Sequence, residues 1–211
     1  LAVRGRIDRI DKISLARTDQ AAGDQFMVVD YKSSDHPFDL ANALGGIDLQ
    51  ILAYLNAIKD QLSSLDEGAH NPSIVGANYL HLHKIRVDYP FKFNDLVKAN
   101  NYQFHGVTNE EPGVIDSLHD KHNFFGFSVT KKGKVSAKSG SLLTTPDEFQ
   151  RLLDLNRQLL LDAANQILDG NVALHPYRKI TGSRQETGLD NSAYADIFRF
   201  DNVLDQQLYR E

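Results

Sequence analysis

Two short segments carry side chains that could act together on a charged substrate. Gly5-Arg6-Ile7-Asp8 sets a carboxylate in a run rich in β-branched and charged residues. Val29-Asp30-Tyr31-Lys32 ends an apolar run with a carboxylate, followed two positions on by an ammonium. Strand side chains alternate, so Asp30 and Lys32 share one face of an extended segment and Tyr31 takes the other. If the two segments pair as neighbouring strands, Asp8 reaches the same end of the sheet. Two carboxylates and one ammonium would then converge. That grouping suits phosphodiester hydrolysis. A hard divalent cation takes carboxylate oxygens, water and substrate phosphate as ligands, and it lowers the pKa of a bound water. A lysine beside it orients the attacking water or offsets developing negative charge.

The plainer reading of an Asp-x-Lys is a structural ion pair at a strand end. Asp30, however, follows Phe26-Met27-Val28-Val29 and so falls where burial is expected. A buried carboxylate needs a partner or a metal. A second signal is helical: Gln50 and Tyr54 stand four apart and share a helix face. An amide and a phenol there could contact DNA phosphates or bases, or simply form the margin of an amphipathic helix.

Other candidates carry less. His81 and His83 are two apart in a strand-like run and read as hydrogen-bonding histidines before metal ligands. Lys131, Lys132, Lys134 and Lys138 make a basic hairpin, a solvated edge that could also meet DNA phosphates. Asp11 reads as structural, paired with Arg9 or Arg17. No G-x-x-x-x-G-K-[ST] occurs, so the chain shows no site for ATP.

Elements must position these groups. Leu1–Ile10 reads as a strand, Thr18–Asp24 as a polar turn, and Gln25–Lys32 as a buried strand, the two strands forming a hairpin. Ser33–Asn42 is a loop. Leu44–Leu62 is helical, with Ile47, Ile51, Leu55, Ile58 and Leu62 at three- and four-residue steps. Ser73–His83 is another strand. Residues 86–125 are polar with little periodicity and read as an insertion, with one short helix near Asn94–Asn100. Phe124–Lys138 is a hairpin turning at Lys132-Gly133. Thr145–Gly170 is a helix capped by Thr145 or Asp147 and ended by Gly170. The tail from Asn171 to Glu211 has weak periodicity and is expected to pack over the domain. The whole, 1–211, reads as one domain.

The chain has 211 residues, enough for one α/β domain with a real core. Its formal charge of −5 excludes a generally basic nucleic-acid coat but allows a local basic groove. With no cysteine there is no disulfide and no thiolate-bound metal. No apolar run approaches the roughly 18 to 20 residues of a membrane helix, and no signal-peptide pattern opens the chain. A cytoplasmic protein without membrane contact is the expectation. Strand-like sequence starting at Leu1 rather than Met suggests a piece of a longer polypeptide.

Taken in order, G-R-I-D-R-I-D, V-V-D-Y-K-S-S and G-G-I-D-L-Q-I-L-A-Y resemble the PD-(D/E)XK nuclease superfamily. Within it they are similar to the RecB-like nuclease domains of AddB/RexB subunits, which belong to bacterial helicase–nucleases that process double-strand breaks. The motifs span about Gly5 to Tyr54, and the tail extends the likeness more weakly. The resemblance implies an α/β, restriction-endonuclease-like fold, with a mixed central sheet flanked by helices. It implies a metal-dependent DNA exonuclease or endonuclease serving recombinational repair. Asp8 and Asp30 would bind the metal with the Tyr31 carbonyl as a further ligand, Lys32 would be catalytic, and Gln50 and Tyr54 would belong to the helix motif. The ion would be Mg²⁺, with Mn²⁺ or Ca²⁺ as alternatives. DNA and an AddA/RexA-like A subunit would be the partners, and ATP dependence would come from other parts of the complex.

Two departures are visible. Such domains have a helix before the first strand with a further His or Glu near the metal, which this sequence starts too late to contain. Many AddB proteins also carry a C-terminal cysteine cluster, where Leu189, Ser192 and Phe198 stand here ahead of Arg199-Phe200-Asp201. No iron–sulfur cluster is therefore expected, and the tail should pack through Tyr194, Phe198 and Phe200 instead. Two other functions fit parts of the pattern: a catalytically inactive DNA-binding or assembly module, and another PD-(D/E)XK enzyme such as a restriction or Holliday-junction nuclease.

Overall fold

The computed structural model describes residues 4–13, 24–34, 37–65, 72–82, 103–119, 124–190 and 192–210. The chain divides into two compact units: Ala2–Asp39 with Gln50–Asp154, and Leu40–Leu49 with Leu155–Glu211.

The first unit is built on a five-stranded mixed sheet of order β1-β2-β3-β4-β7. Its strands are β1 (Arg9–Ile13), β2 (Gln25–Lys32), β3 (Ser73–His81), β4 (Phe104–Asn109) and β7 (Leu142–Thr144). β1 pairs antiparallel with β2, and β2 runs parallel to β3. A parallel pair needs a crossover, and helix α2 (Gln50–Leu65) lies in that connection. Ile51, Leu52, Leu55 and Ile58 give α2 a buried stripe. On β2 both faces are buried up to Asp30, the pattern of a central strand. Met27, Val75, Val114, Ile115, Leu118 and Phe127 form one apolar cluster. Helix α3 (Pro112–Leu118) contributes three of them.

The hairpin β5 (Phe127–Val129) and β6 (Val135–Ala137) turns through Gly133 at φ 79°, where the turn is expected from sequence. Helix α4 (Pro146–Leu168) opens with a capping box: Glu148 N–H donates to Thr145 Oγ1, and Thr145 N–H donates to Glu148 Oε2.

Four expectations change. Among the described residues the first strand is Arg9–Ile13, and residues 4–8 of the strand expected over Leu1–Ile10 lie outside it, so Asp8 sits at a bend just before the strand, not inside it. The helix expected over Leu44–Leu62 is two helices, α1 (Leu40–Leu44) and α2. Between them Gly45-Gly46 breaks the run, with Gly46 at φ 75°, and Ile47 is half exposed. In the stretch expected to be an insertion, 104–118 supplies β4 and α3, while the helix expected near Asn94–Asn100 lies outside the described residues. β4 is short and polar, and it docks because Gly106 lets the backbones meet: a Cβ there would lie 2.0 Å from the Ala77 carbonyl oxygen. Finally, Tyr194 and Phe198 do not pack inward; they are 62% and 44% exposed.

The second unit holds the hairpin β8 (Arg178–Thr181) and β9 (Arg184–Thr187), the short helix α5 (Ala195–Phe198) and a 3₁₀ turn at Gln206–Leu208. Its end folds back on itself. Tyr209 meets Phe200 edge-on at 5.0 Å and lies 4.7 Å under the Arg178 guanidinium. Arg210 Nε donates to the His175 carbonyl at 2.9 Å.

Candidate active site

The C-terminal end of β2 brings several of the sequence candidates together. Register aligns Asp30 with Tyr79 and Lys32 with His81 on β3, so these four side chains belong to one face of the sheet. Asp30 is 4% exposed. Its Oδ2 lies 2.9 Å from Lys32 Nζ as an ion pair, yet that buried oxygen accepts no hydrogen bond. The alignment is that of a charge contact only, and a lone pair stays available. Lys32 Nζ also donates to Gln50 Oε1 at 2.7 Å and sits 5.1 Å over the Tyr79 ring. Gln50 Nε2 in turn donates to Tyr54 Oη at 2.9 Å. Because α2 begins at Gln50, Gln50 and Tyr54 are stacked on its first turns beside the strand end.

Asp8 enters from the other neighbour. Its Oδ2 accepts the Tyr31 N–H at 3.0 Å, the amide of the peptide that joins Asp30 to Tyr31. Tyr31 itself turns to the opposite face and is 37% exposed. Its hydroxyl accepts from Arg9 Nη1 at 3.5 Å, while Arg9 Nε donates to Asp11 Oδ1 at 2.6 Å. These contacts, Asp11 first and Tyr31 second, raise the Arg9 pKa further above its ordinary value. The Arg9–Asp11 pair is one of the two expected from sequence.

The donor set fits a hard divalent ion. Asp8 accepts the amide that follows Asp30, Asp30 keeps a buried oxygen without a hydrogen bond, and no thiolate competes. Among the described residues no group of three or more His, Cys, Asp or Glu converges. Two carboxylates completed by water and phosphate suit Mg²⁺ better than an all-protein cage suits it.

Lys131, Lys132 and Lys134 sit exposed in the β5–β6 turn, a separate two-stranded sheet. Thr130 Oγ1 accepts the Lys134 N–H at 3.0 Å and fixes the turn. His81 ends β3, and His83 lies outside the described residues. Two residues of the site are not anticipated by sequence reasoning. Tyr79, 1% exposed beneath the Lys32 ammonium, emerges only from the β2–β3 register. Arg9 reads from sequence as a partner of Asp11 alone.

A five-stranded mixed sheet with an Asp…Asp-x-Lys strand end and a Gln-x-x-x-Tyr helix beside it defines a nuclease class. The sequence pattern of the PD-(D/E)XK nuclease superfamily matches residues 1–184, and the chain belongs to that superfamily. Its curated relatives include the B subunit of the ATP-dependent helicase/deoxyribonuclease of Limosilactobacillus reuteri, 40% identical over 216 residues. The alignment covers 99% of this chain and 17% of that relative. Proteins of the same name from Limosilactobacillus fermentum and Lactiplantibacillus plantarum are 34% and 33% identical, over 100% and 99% of this chain and 17% and 18% of theirs. The chain thus spans less than a fifth of the length of these relatives. Among the described residues no helix is long and apolar enough to cross a membrane.

Proposed function

We propose that this chain is the metal-dependent deoxyribonuclease portion of a long helicase–nuclease subunit that processes DNA breaks in the cytoplasm together with an AddA/RexA-like partner. The observation that carries the reading is the hydrogen-bonded chain from Lys32 through Gln50 to Tyr54, set against buried Asp30.

Asp8 and Asp30 would hold Mg²⁺, with Mn²⁺ or Ca²⁺ as substitutes, and the Tyr31 carbonyl would be a third protein ligand. When bound, the ion supplies a more acidic water and offsets charge on the transferring phosphoryl group. Lys32 has three N–H groups. One is taken by Gln50, and Asp30 holds the ammonium by charge, leaving N–H groups for the attacking water or a phosphate oxygen. From sequence alone Gln50 and Tyr54 read as DNA contacts. Gln50 is tied to Lys32 and Tyr54 to Gln50, which supports a positioning role: Gln50 holds the ammonium, and Tyr54 holds the Gln50 amide in place by accepting its N–H. Lys131, Lys132 and Lys134 contribute phosphate contacts that hold DNA without reading sequence.

A purely structural Asp30–Lys32 pair would show the same 2.9 Å contact. Single-turnover cleavage of single-stranded DNA, with metal titration and DNA binding, separates the two on full-length wild type, Asp30→Asn and Lys32→Ala. The nuclease reading expects Asp30→Asn to lose metal binding and Lys32→Ala to bind metal but cleave slowly. Wild-type cleavage by Lys32→Ala would reduce the pair to a structural one.

A further inference from the structure

Tyr79 stands beneath the Lys32 ammonium through an irregularity in the sheet, not through regular pairing. Phe26 pairs with Ile74 but Met27 pairs with Gly76, so β3 admits one extra residue, Val75, between them. Beyond it Asp30 pairs with Tyr79 and Lys32 with His81. Regular pairing continued from Phe26 and Ile74 would set Asn78 beside Asp30 and Leu80 beside Lys32, because a one-residue slip exchanges the faces of a strand. As built, Asn78 takes the other face, where its Nδ2 lies 3.2 Å from Met27 Sδ. Bulges are rare in parallel pairs, and they are over-represented next to active sites, where they re-aim side chains. Here the re-aimed side chain is an aromatic ring.

The ring is 1% exposed, and Lys32 Nζ lies 5.1 Å from its centroid, within the reach of a cation–π contact. Three groups therefore hold the ammonium: Gln50 Oε1 as an acceptor at 2.7 Å, Asp30 as a charge at 2.9 Å, and the ring as a face. They are not equivalent. Asp30 is also a proposed metal ligand, so in a loaded site its charge is shared and its hold on Lys32 weakens. The ring has no formal charge to share; its face attracts a cation through a quadrupole. The plainer account is packing, with the ring lying against the methylene stem of the lysine. Packing depends on the shape of the ring, whereas a cation–π contact depends on the electron density of its face.

We propose that Tyr79 is a positioning residue for Lys32, holding its ammonium at the reacting centre through the face of the ring. This rests on the reading of Lys32 as the group that orients the attacking water or offsets charge on the phosphate.

The test compares the full-length subunit as wild type, as Tyr79→Phe, and with Tyr79 replaced by trifluorophenylalanine, a ring of like shape whose face is depleted of electron density. Single-turnover cleavage of single-stranded DNA is measured for each, with and without Lys32→Ala. Relative to Tyr79→Phe, the fluorinated ring should slow cleavage about 5- to 30-fold, the range for a partly desolvated cation–π contact. Tyr79→Phe should lose less than that relative to wild type. In Lys32→Ala the exchange of rings should slow cleavage no further, since no ammonium is left to hold. A readout apart from cleavage is acylation of Lys32 by acetic anhydride in the metal-free subunit, followed by peptide mass spectrometry and referred to exposed Lys132. The fluorinated ring should raise it, because the amine is held less firmly on the face. A fluorinated ring that cleaves as fast as phenylalanine, or leaves acylation unchanged, overturns the proposal in favour of packing. So does a slowing that persists undiminished in Lys32→Ala. Tyr79→Phe as slow as the fluorinated ring overturns it too, by assigning the effect to the hydroxyl. Lys32→Ala cleaving at the wild-type rate fails the reading of Lys32 itself, and the proposal falls with it.

Discussion

Two regions of this chain treat their large apolar side chains in opposite ways. In the sheet unit Val28, Val29, Ile51 and Leu55 are fully buried, and Leu52, Val75, Tyr79 and Leu153 nearly so. In the C-terminal unit Ile167, Leu168, Val172, Ile180, Ile197, Val203 and Leu204 are each 60% or more exposed. Ala43, Ala164 and Pro176 are its buried apolar residues among the described ones. Hydrophobic burial therefore fixes the first unit. Turns, caps and ring contacts fix the second: Thr187–Asp190, the Asp201 turn, and Tyr209 between Phe200 and Arg178. The groups proposed for the active site stand on the region that burial holds together, as a site that must keep its geometry requires.

The largest contrast should appear at glycines. Gly106→Ala places a Cβ 2.0 Å from the Ala77 carbonyl and 2.7 Å from the Asn78 Cα, both backbone. β3 and β4 must then separate, with a loss at or above the roughly 4–5 kcal/mol that marks exceptional single substitutions. Gly182→Ala meets nothing within 4 Å and is strained only by its φ of 62°, so it should cost about 1 kcal/mol. Thermal unfolding and hydrogen exchange in β3 and β8 of the full-length protein would check both. Equal effects would erase the distinction between the regions.

Catalysis gives the next effects. Asp30→Asn should leave metal binding too weak to saturate, because a hard cation depends on carboxylate charge. Lys32→Ala should bind metal and lower single-turnover cleavage by about 10²- to 10³-fold, the range for losing one transition-state stabiliser. Smaller losses follow outward along the hydrogen-bonded chain. Gln50→Ala removes one hydrogen bond to a charged group, worth roughly 1.5–3 kcal/mol, so a loss of about 10- to 100-fold in cleavage rate is the upper range. Tyr54→Phe removes a neutral bond and should cost about 2- to 10-fold. If Gln50→Ala instead weakens DNA binding at an unchanged cleavage rate, Gln50 is a DNA contact and not a positioning residue.

How much of this is legible in the sequence follows the same division. β2 can be read to the residue because an apolar run ending in Asp-Tyr-Lys has few other meanings, and of the two caps the sequence offers α4, Thr145 and Asp147, it is Thr145 that makes the cap. Asp30, Lys32, Gln50 and Tyr54 stand out, since strand and helix periods place them on faces, whereas Asp8 lies at a bend ahead of β1 and reaches β2 through the Tyr31 amide. What the sequence hides depends on distant partners. β4 is a six-residue polar strand whose place is set by Gly106 against Ala77. Tyr79 reaches Lys32 only through the β2–β3 register. β7 is three residues long. In the tail, Tyr194 and Phe198 are expected to pack because aromatics usually do, but the described structure gives them no core to enter.

The smallest effect concerns acid. Glu148 is held below the usual carboxylate range by the Thr145 backbone and hydroxyl, Asp190 by the Thr187 hydroxyl and then its amide, and Asp201 by the amides of Leu204 and Val203. A carboxylate whose folded pKa is depressed stabilises fully above its unfolded pKa, about 3.9 for Asp and 4.3 for Glu, and loses that contribution as pH falls through the folded value. Lowering the pH below about 4 should therefore release all three groups over a similar window. The consequences should differ by region. Helix α4 loses its cap but keeps Phe149, Leu152 and Leu153 buried at 5%, 7% and 1% exposure, so protection should fall only in its first turn. The turns at 187–190 and 201–205 have no such burial, and their amides should lose protection together. Hydrogen-exchange protection factors between pH 6 and pH 3, corrected for intrinsic rates, would show it. Asp201→Asn, which cannot titrate, should remove the pH dependence at Val203 and Leu204 while leaving that at Thr187. If α4 unravels along its length in the same window, burial is not what distinguishes the two regions.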